Sequence, residues 1–218
     1  MKKIIVYGAG GHAKAVIDTI EKAGLYQIAG ILDGYMPIGS TFYGYDILGD
    51  ESWLTANLST VSSGIVAIGD NWTRASVVAK MIEAHPHFTF ITAIHPTASI
   101  AKGAHIGVGT VIMAGCVINS DTQIGEHCIM YTQSSADHDS KLGSFVTFAP
   151  KACTGGNVSF GDYSVLSLGA NVIHGKKIGE HTVIGAGSTV LTDIPAYTIS
   201  YGTPARVVRL REQGERYL

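Results

Sequence analysis

The sequence predicts a chain in two parts. The first is an α/β domain with a small parallel sheet, half-Rossmann-like, over residues 1–95; the second is a parallel β-helix of hexapeptide repeats over residues 96–218. Two observations carry this expectation. Large apolar residues return at every sixth position from Ile100 to Val190, through Ile106, Ile112, Ile118, Ile124, Met130, Leu142, Phe148, Phe160, Leu166, Val172, Ile178 and Ile184. Only Ala136 and Thr154 break that frame. Ahead of it, strand and helix patterns alternate, which argues for a parallel sheet covered by helices.

In chain order, Lys2 to Tyr7 reads as a strand, Gly8-Ala9-Gly10-Gly11 as a turn, and His12 to about Ala23 as a helix. A strand from Gln27 to Asp33, a hairpin-like excursion from Gly34 to Gly49 and a short helix near Glu51 follow. Gly64 to Ile68 reads as the next strand, Gly69-Asp70-Asn71 caps a helix running to about Ala84, and His87 to Ile94 completes the sheet. The repeats begin near His95-Pro96. A period of six fits neither an α-helix nor a simple strand, so each hexad is one short strand plus one tight corner. Three hexads close a triangular coil, and residues 18 apart stack at the ~4.8 Å strand spacing. The glycines that follow the inward residues, such as Gly107, Gly125 and Gly143, are assigned to corners needing positive φ. The fifth place is small and inward, and it holds Cys116 and Cys128. From Arg206 to Leu218, arginine alternates with glutamate, which reads as a solvated terminal helix.

Composition narrows the function classes. Charged residues are 15% of the chain and glycines number 27, a turn-dense buried scaffold rather than disorder. A formal net charge of −2 without a basic run argues against nucleic acid. No window is long and apolar enough to insert in a membrane and no signal peptide precedes the first strand, so a cytoplasmic protein is expected. Three cysteines, odd in number and without ligand spacing, imply neither a disulfide framework nor a metal site.

Gly8-x-Gly10-x-x-Ala13 at a strand-to-helix turn, with Asp33 ending the next strand, has the form of a nucleotide fingerprint. A merely tight turn produces the same glycines. The ninety residues are too few for a full dinucleotide domain, which disfavours NAD. His12 either caps its helix or lies beside bound phosphates or sugar, and spacing leaves both open. Asp70, Asn71 and Arg74 begin a helix whose turn opens on the same sheet edge as Gly10. Among the β-helix histidines, His138 stands between Asp137 and Asp139, where a carboxylate can orient it and raise its basicity. His174 takes the same hexad place two coils on, ~10 Å away by strand spacing, beside Lys176 and Lys177 instead of a carboxylate. His105, His127 and His181 are expected at the surface.

Gly8-Ala9-Gly10-Gly11-His12-Ala13-Lys14, Ile31-Leu32-Asp33, Ile68-Gly69-Asp70-Asn71, Asp137-His138-Asp139 and Tyr201-Gly202-Thr203-Pro204-Ala205 form an ordered set. Joined to the hexads, it resembles the sugar O- and N-acetyltransferases of the sialic acid, bacillosamine and perosamine type, across essentially the whole chain. The resemblance implies a left-handed β-helix, a homotrimer, acetyl-CoA as co-substrate between two prisms, and a nucleotide-linked sugar on the amino-terminal domain. It implies that His138 is the general base and that Asp139 raises its basicity. It implies contacts to the nucleotide-sugar from Gly10, Gly11, His12, Asp33 and Gly69. Thr147, Gly156, Leu168 and Ala186 would line the CoA channel, with Pro204 near the adenine. Three positions depart from the pattern. Thr147 stands where related enzymes often have histidine, Tyr131 where many have asparagine, and Asp33-Gly34 where some have two carboxylates.

The reading is an acetyl-CoA-dependent N-acetyltransferase acting on a nucleotide-linked amino sugar, a 4-amino-4,6-dideoxyhexose for surface polysaccharide such as lipopolysaccharide O-antigen. The alternatives are an O-acetyltransferase of sialic acid or another sugar, a non-catalytic hexapeptide trimer scaffold, and a zinc-dependent carbonic anhydrase.

Overall fold

The computed structural model describes residues 1–217. Its first element is β1 (Lys2–Tyr7), whose Ile4, Ile5 and Val6 are fully buried, followed by α1 (Gly11–Ala23) and β2 (Tyr26–Leu32). α1 ends at Gly24, which takes the left-handed conformation that closes many helices. A hairpin of β3 (Thr41–Phe42) and β4 (Tyr45–Gly49) leads to α2 (Ser52–Asn57), β5 (Ser63–Val66), α3 (Asn71–Ala84) and β6 (Thr89–Phe90). The sheet order is β3-β4-β2-β1-β5-β6, parallel except for the β3–β4 hairpin. Asp70 caps α3, its carboxylate accepting from the Thr73 N–H at 2.9 Å.

The segment expected as one strand, His87 to Ile94, divides. β6 stays in the first sheet, whereas β7 (Ala93–Ile94) pairs with Val111–Ile112 and starts the β-helix. The reason was in the period: Ile94 lies six before Ile100. From there the chain winds a left-handed parallel β-helix with three faces. Face one stacks β7, then Val111–Ile112, Ile129–Met130, Thr147–Phe148, Val165–Leu166 and Val183–Ile184. Face two runs from Ser99–Ile100 to Thr189–Val190, and face three from His105–Ile106 to Lys177–Ile178. The ladders pair residues 18 apart, as with Ile112↔Met130, until the last coil, where Val183 meets Ile199 and Ile178 meets Ile194. The apolar interior is continuous with the α1 side of the first sheet, so the two parts share one core.

The corner chemistry differs from expectation. From Ile100 to Ile184, positive φ falls three residues after each inward side chain, at Gly103, Gly109 and Gly115 but also at Asp121, His127, Gln133, Asp139, Phe145 and Tyr163. The glycines directly after the inward residues serve close approach instead. A Cβ on Gly107 would meet the Gly125 carbonyl at 2.5 Å, and one on Gly125 would meet Gly143 at 2.6 Å. Successive coils touch there through bare backbone.

At one corner the left-handed residues are His127, Phe145, Tyr163 and His181, stacked with ring centroids 5.2, 5.1 and 4.7 Å apart. Trp72 of α3 lies on Tyr163 at 4.8 Å, and Phe90 meets His127 edge-on at 4.7 Å. His127 and His181 are therefore buried rather than superficial. A non-glycine left-handed residue costs about 1–2 kcal/mol. Each aromatic pair returns roughly 0.5–1.5 kcal/mol beyond its buried area, so the column supports itself while docking α3.

Arg74 completes the junction. Fully buried, its guanidinium donates to His127 O (2.8 Å), Ile68 O (2.9 Å), Gly69 O (2.8 Å), Phe145 O (3.2 Å) and Thr147 Oγ1 (3.3 Å). Asn71 adds a bond from Nδ2 to Tyr163 O at 2.6 Å. The carboxyl tail is not a helix. Ala205–Leu210 is a strand antiparallel to Thr198–Gly202, because Val207 and Val208 favour the extended backbone that the top coil offers for pairing. Beyond it, Arg211 is buried and donates to His181 O at 3.1 Å.

Two substitutions test this account of the corners. Gly125→Ala is expected to lower unfolding free energy by roughly 1–3 kcal/mol through backbone overpacking. Gly169→Asn, at a left-handed corner with open space around its Cβ position, is expected to cost under about 1 kcal/mol. Urea denaturation of each variant measures both.

Candidate active site

Five residues singled out in the sequence, Gly10, Gly11, His12, Asp33 and Gly69, line one cavity of about 1200 Å³ at the carboxyl edge of the first sheet. Gly10 begins α1 without a side-chain cap, and a Cβ at Gly10 or Gly11 would meet nothing within 4 Å. The helix end thus faces open space with its first N–H groups free of side-chain partners, an arrangement suited to anions. Asp33 is occupied otherwise. Its Oδ2 accepts from Ala9 N at 2.9 Å and its Oδ1 from Tyr35 N and Met36 N at 2.9 and 3.0 Å. Its carboxylate holds the glycine turn against the following loop.

Both ring nitrogens of His12 are shielded from solvent and, among the described residues, lack a hydrogen-bond partner. Desolvation, with the Arg74 charge second, pushes its pKa down to about 3, so the ring is neutral at physiological pH. Tyr131 lies against it with ring centroids 5.2 Å apart and closes that wall. Tyr7 donates to Glu51 Oε2 at 2.7 Å on the same cavity wall, and burial raises its pKa.

His138 and Asp139 line a second, separate groove with Asp121, Gln123, Lys141, Asn157 and His174. His138 Nδ1 lies 2.8 Å from Asp139 Oδ2. That hydrogen bond, then the Asp137 and Asp139 charges, raises the imidazole above its ordinary pKa. Asp137 fixes the backbone: its Oδ1 accepts from His138 N at 2.9 Å and from Asn119 Nδ2 at 2.6 Å. Those hydrogen bonds hold its own pKa below the usual carboxylate range. Thr154, polar where the repeat calls for an aliphatic residue, accepts the Asp137 N–H with its Oγ1 at 3.4 Å, and Thr122 Oγ1 donates to Asp137 O at 2.8 Å. One irregular inward residue therefore serves this corner.

His174 comes nearer than coil spacing suggested, its ring 6.1 Å from that of His138. Gly156 lies on the coil between them, and a Cβ there would sit 2.5 Å from His138 Nε2. The absent side chain leaves Nε2 unobstructed. Of the other residues expected along a CoA channel, Leu168 and Ala186 are exposed one coil apart on the corner between faces one and two, and Pro204 is exposed in the closing hairpin. The Thr147 side chain is 1% exposed and accepts from Arg74 of α3.

The sequence reading missed Trp72, the aromatic corner, Arg211 and Tyr217. An 18-residue signal was present for the column, since His127, Phe145, Tyr163 and His181 are spaced at one full coil.

An α/β cavity joined to a hexapeptide prism with a carboxylate-paired histidine is an arrangement that comparison with known proteins places among the sugar acetyltransferases. Residues 3–81 match the PglD N-terminal domain family. The whole fold is similar to perosamine N-acetyltransferase from Caulobacter crescentus, determined with CoA and GDP-perosamine: 34% identity, 95% of this chain, 97% of that one, TM-score 0.88. It is also similar to the acetyltransferase domain of PglB from Neisseria gonorrhoeae, determined with acetyl coenzyme A, at 29% identity, 95% and 99% coverage and TM-score 0.87. Acyl-[acyl-carrier-protein]–UDP-N-acetylglucosamine O-acyltransferase from Pseudomonas aeruginosa is 30% identical over 119 residues, 51% of this chain and 46% of that protein. The chain spans about half the length of the curated relatives it matches. This chain belongs to the hexapeptide-repeat sugar acetyltransferase family.

The imidazoles are expected to separate in an NMR titration. His138 protonates with a midpoint above 6.5, whereas His12 and His127 stay neutral down to about pH 3 and 4. Because unfolding frees those two buried rings to take up protons, stability falls as pH drops below about 6.5. Urea midpoints measured between pH 7 and 4 check the sign.

Proposed function

We propose that this chain is an acetyl-CoA-dependent N-acetyltransferase acting on the amine of a nucleotide-linked amino sugar, a 4-amino-4,6-dideoxyhexose destined for surface polysaccharide, and that it works as a homotrimer. One observation carries the chemistry: His138 has Nδ1 tied to Asp139 while Nε2 faces space left by Gly156. The Asp139 bond orients the ring with Nε2 as the free basic atom. The neutral amine attacks the thioester carbonyl, a C–N bond forms, and Nε2 takes the amine proton. The C–S bond then breaks, and the proton passes to the departing CoA thiolate. A positioned base supplies roughly 10²–10⁴ in rate, and alignment of amine with thioester supplies much of the remainder.

Two further features support the reading. The cavity at the sheet edge presents an open helix end and a neutral histidine, fitting a diphosphate-linked sugar as in the GDP-perosamine complex of the Caulobacter relative. Face two lies between the His138 corner and the Leu168–Ala186 corner, and it exposes Val117, Ile173 and Leu191, at 38, 43 and 44%. Burying that face against a second copy makes the groove in which a CoA chain would lie.

Thiol release from acetyl-CoA is to be followed with GDP-, UDP- and dTDP-linked 4-amino sugars, with free sialic acid as hydroxyl acceptor. The expected outcome is turnover with a nucleotide amino sugar alone; turnover only with sialic acid overturns the N-acetyl assignment. His138→Ala is expected to lower kcat by about 10² or more with CoA binding kept, and full activity would dismiss it as base. Gly156→Ala is expected to lower kcat because the methyl displaces the ring from Asp139. In Asp139→Asn, His138 loses its raised pKa, so the acidic limb of kcat moves to lower pH while the plateau falls. An unmoved limb assigns the titration to another group.

A further inference from the structure

The diphosphate bridge of a nucleotide-linked sugar carries about two negative charges, and the cavity's glycine turn cannot balance them alone, since a helix amino end contributes roughly half a positive charge. His12 adds none, being neutral. Four carboxylates line the cavity, and each is engaged within the protein: Asp33 by loop N–H groups, Asp50 by Ser52, Glu51 by Tyr7 and Asp70 by Thr73. Two cations line it as well, Lys80 of α3 and Arg216 of the carboxyl tail. Among the described residues neither forms a side-chain hydrogen bond or ion pair.

Arg216 is held in place from both sides. Before it, Glu215 forms an ion pair with Arg209 and accepts from Glu212 N at 3.1 Å, while its carbonyl accepts from the buried Arg211. After it, Tyr217 donates from its hydroxyl to Gly69 O at 2.9 Å, on the cavity wall itself. Gly214, at φ +84°, makes the turn that brings the segment past Trp72 and back over the cavity. A tail merely solvated would have no need of a buried arginine anchor and a hydroxyl tie to the glycine loop.

We propose that residues 211–217 form a fixed wall of the nucleotide-sugar site and that Arg216 binds the diphosphate, together with the amino end of α1. The proposal rests on the acceptor class given above and adds a binding residue to it. A guanidinium suits this task because its planar fork meets two phosphate oxygens at once.

Isothermal titration with GDP, UDP and dTDP, then with the corresponding nucleosides, tests it on wild type, Arg216→Gln and Arg216→Lys. Thermal melts establish that each variant is folded. The expected result is a diphosphate Kd weakened about tenfold or more in Arg216→Gln, with nucleoside binding unchanged and partial recovery in Arg216→Lys. In turnover the same variant should show a raised KM for the nucleotide sugar with kcat preserved. An Arg216→Gln Kd equal to wild type overturns the assignment of Arg216 alone. Wild type that binds no nucleoside diphosphate overturns the nucleotide-sugar reading itself, a separate outcome.

Discussion

Each corner of the prism must reverse the chain through a left-handed residue while bare backbone of one coil rests on the next. That constraint sets the period, because a slip of one residue would place a Cβ where Gly107 and Gly125 touch the coil above. It also decides which side chains leave the surface. At the corner of His127, Phe145, Tyr163 and His181 the left-handed positions carry rings, and the 18-residue repeat stacks them into a column against which α3 docks. The rigid ladder and the attached domain follow from the same geometry.

The junction turns that geometry into a site. Arg74 is a buried cation whose acceptors are neutral carbonyls and one hydroxyl. Burying a charge without a counter-ion is expensive, and five neutral acceptors offset much of that cost. In exchange, the Ile68–Gly69 loop that floors the cavity is tied to His127 and Phe145 of the prism. The same charge helps keep His12 unprotonated. The cavity at the sheet edge is therefore shaped by the β-helix as much as by its own sheet. The His138 corner, by contrast, is built locally from Asn119, Asp137, Asp139 and Thr154, all on adjacent coils.

Much of this was legible beforehand, for a physical reason. Inward aliphatics every six residues, the glycine turn with Asp33, and the Asp137-His138-Asp139 run are short-range patterns, and short-range patterns survive in one dimension. The prism, the alternating α/β domain, the cavity residues Gly10, Gly11, His12 and Gly69, and the His138–Asp139 pair were all visible in that way. The divided strand at β6 and β7 shows the limit: hydrophobicity ran through both, and only pairing assigned each to its sheet.

By itself, then, the sequence determined the period, the two architectures and the histidine with its carboxylate, since each depends on residues within a few positions of one another. Tertiary structure alone decided that His127 and His181 are buried, that Thr147 lies under Arg74, and that the tail returns to the cavity at the sheet edge. Those outcomes depend on which surfaces α3 and residues 211–217 cover, and coverage is a contact between parts of the chain dozens of residues apart or more, beyond the reach of any local pattern.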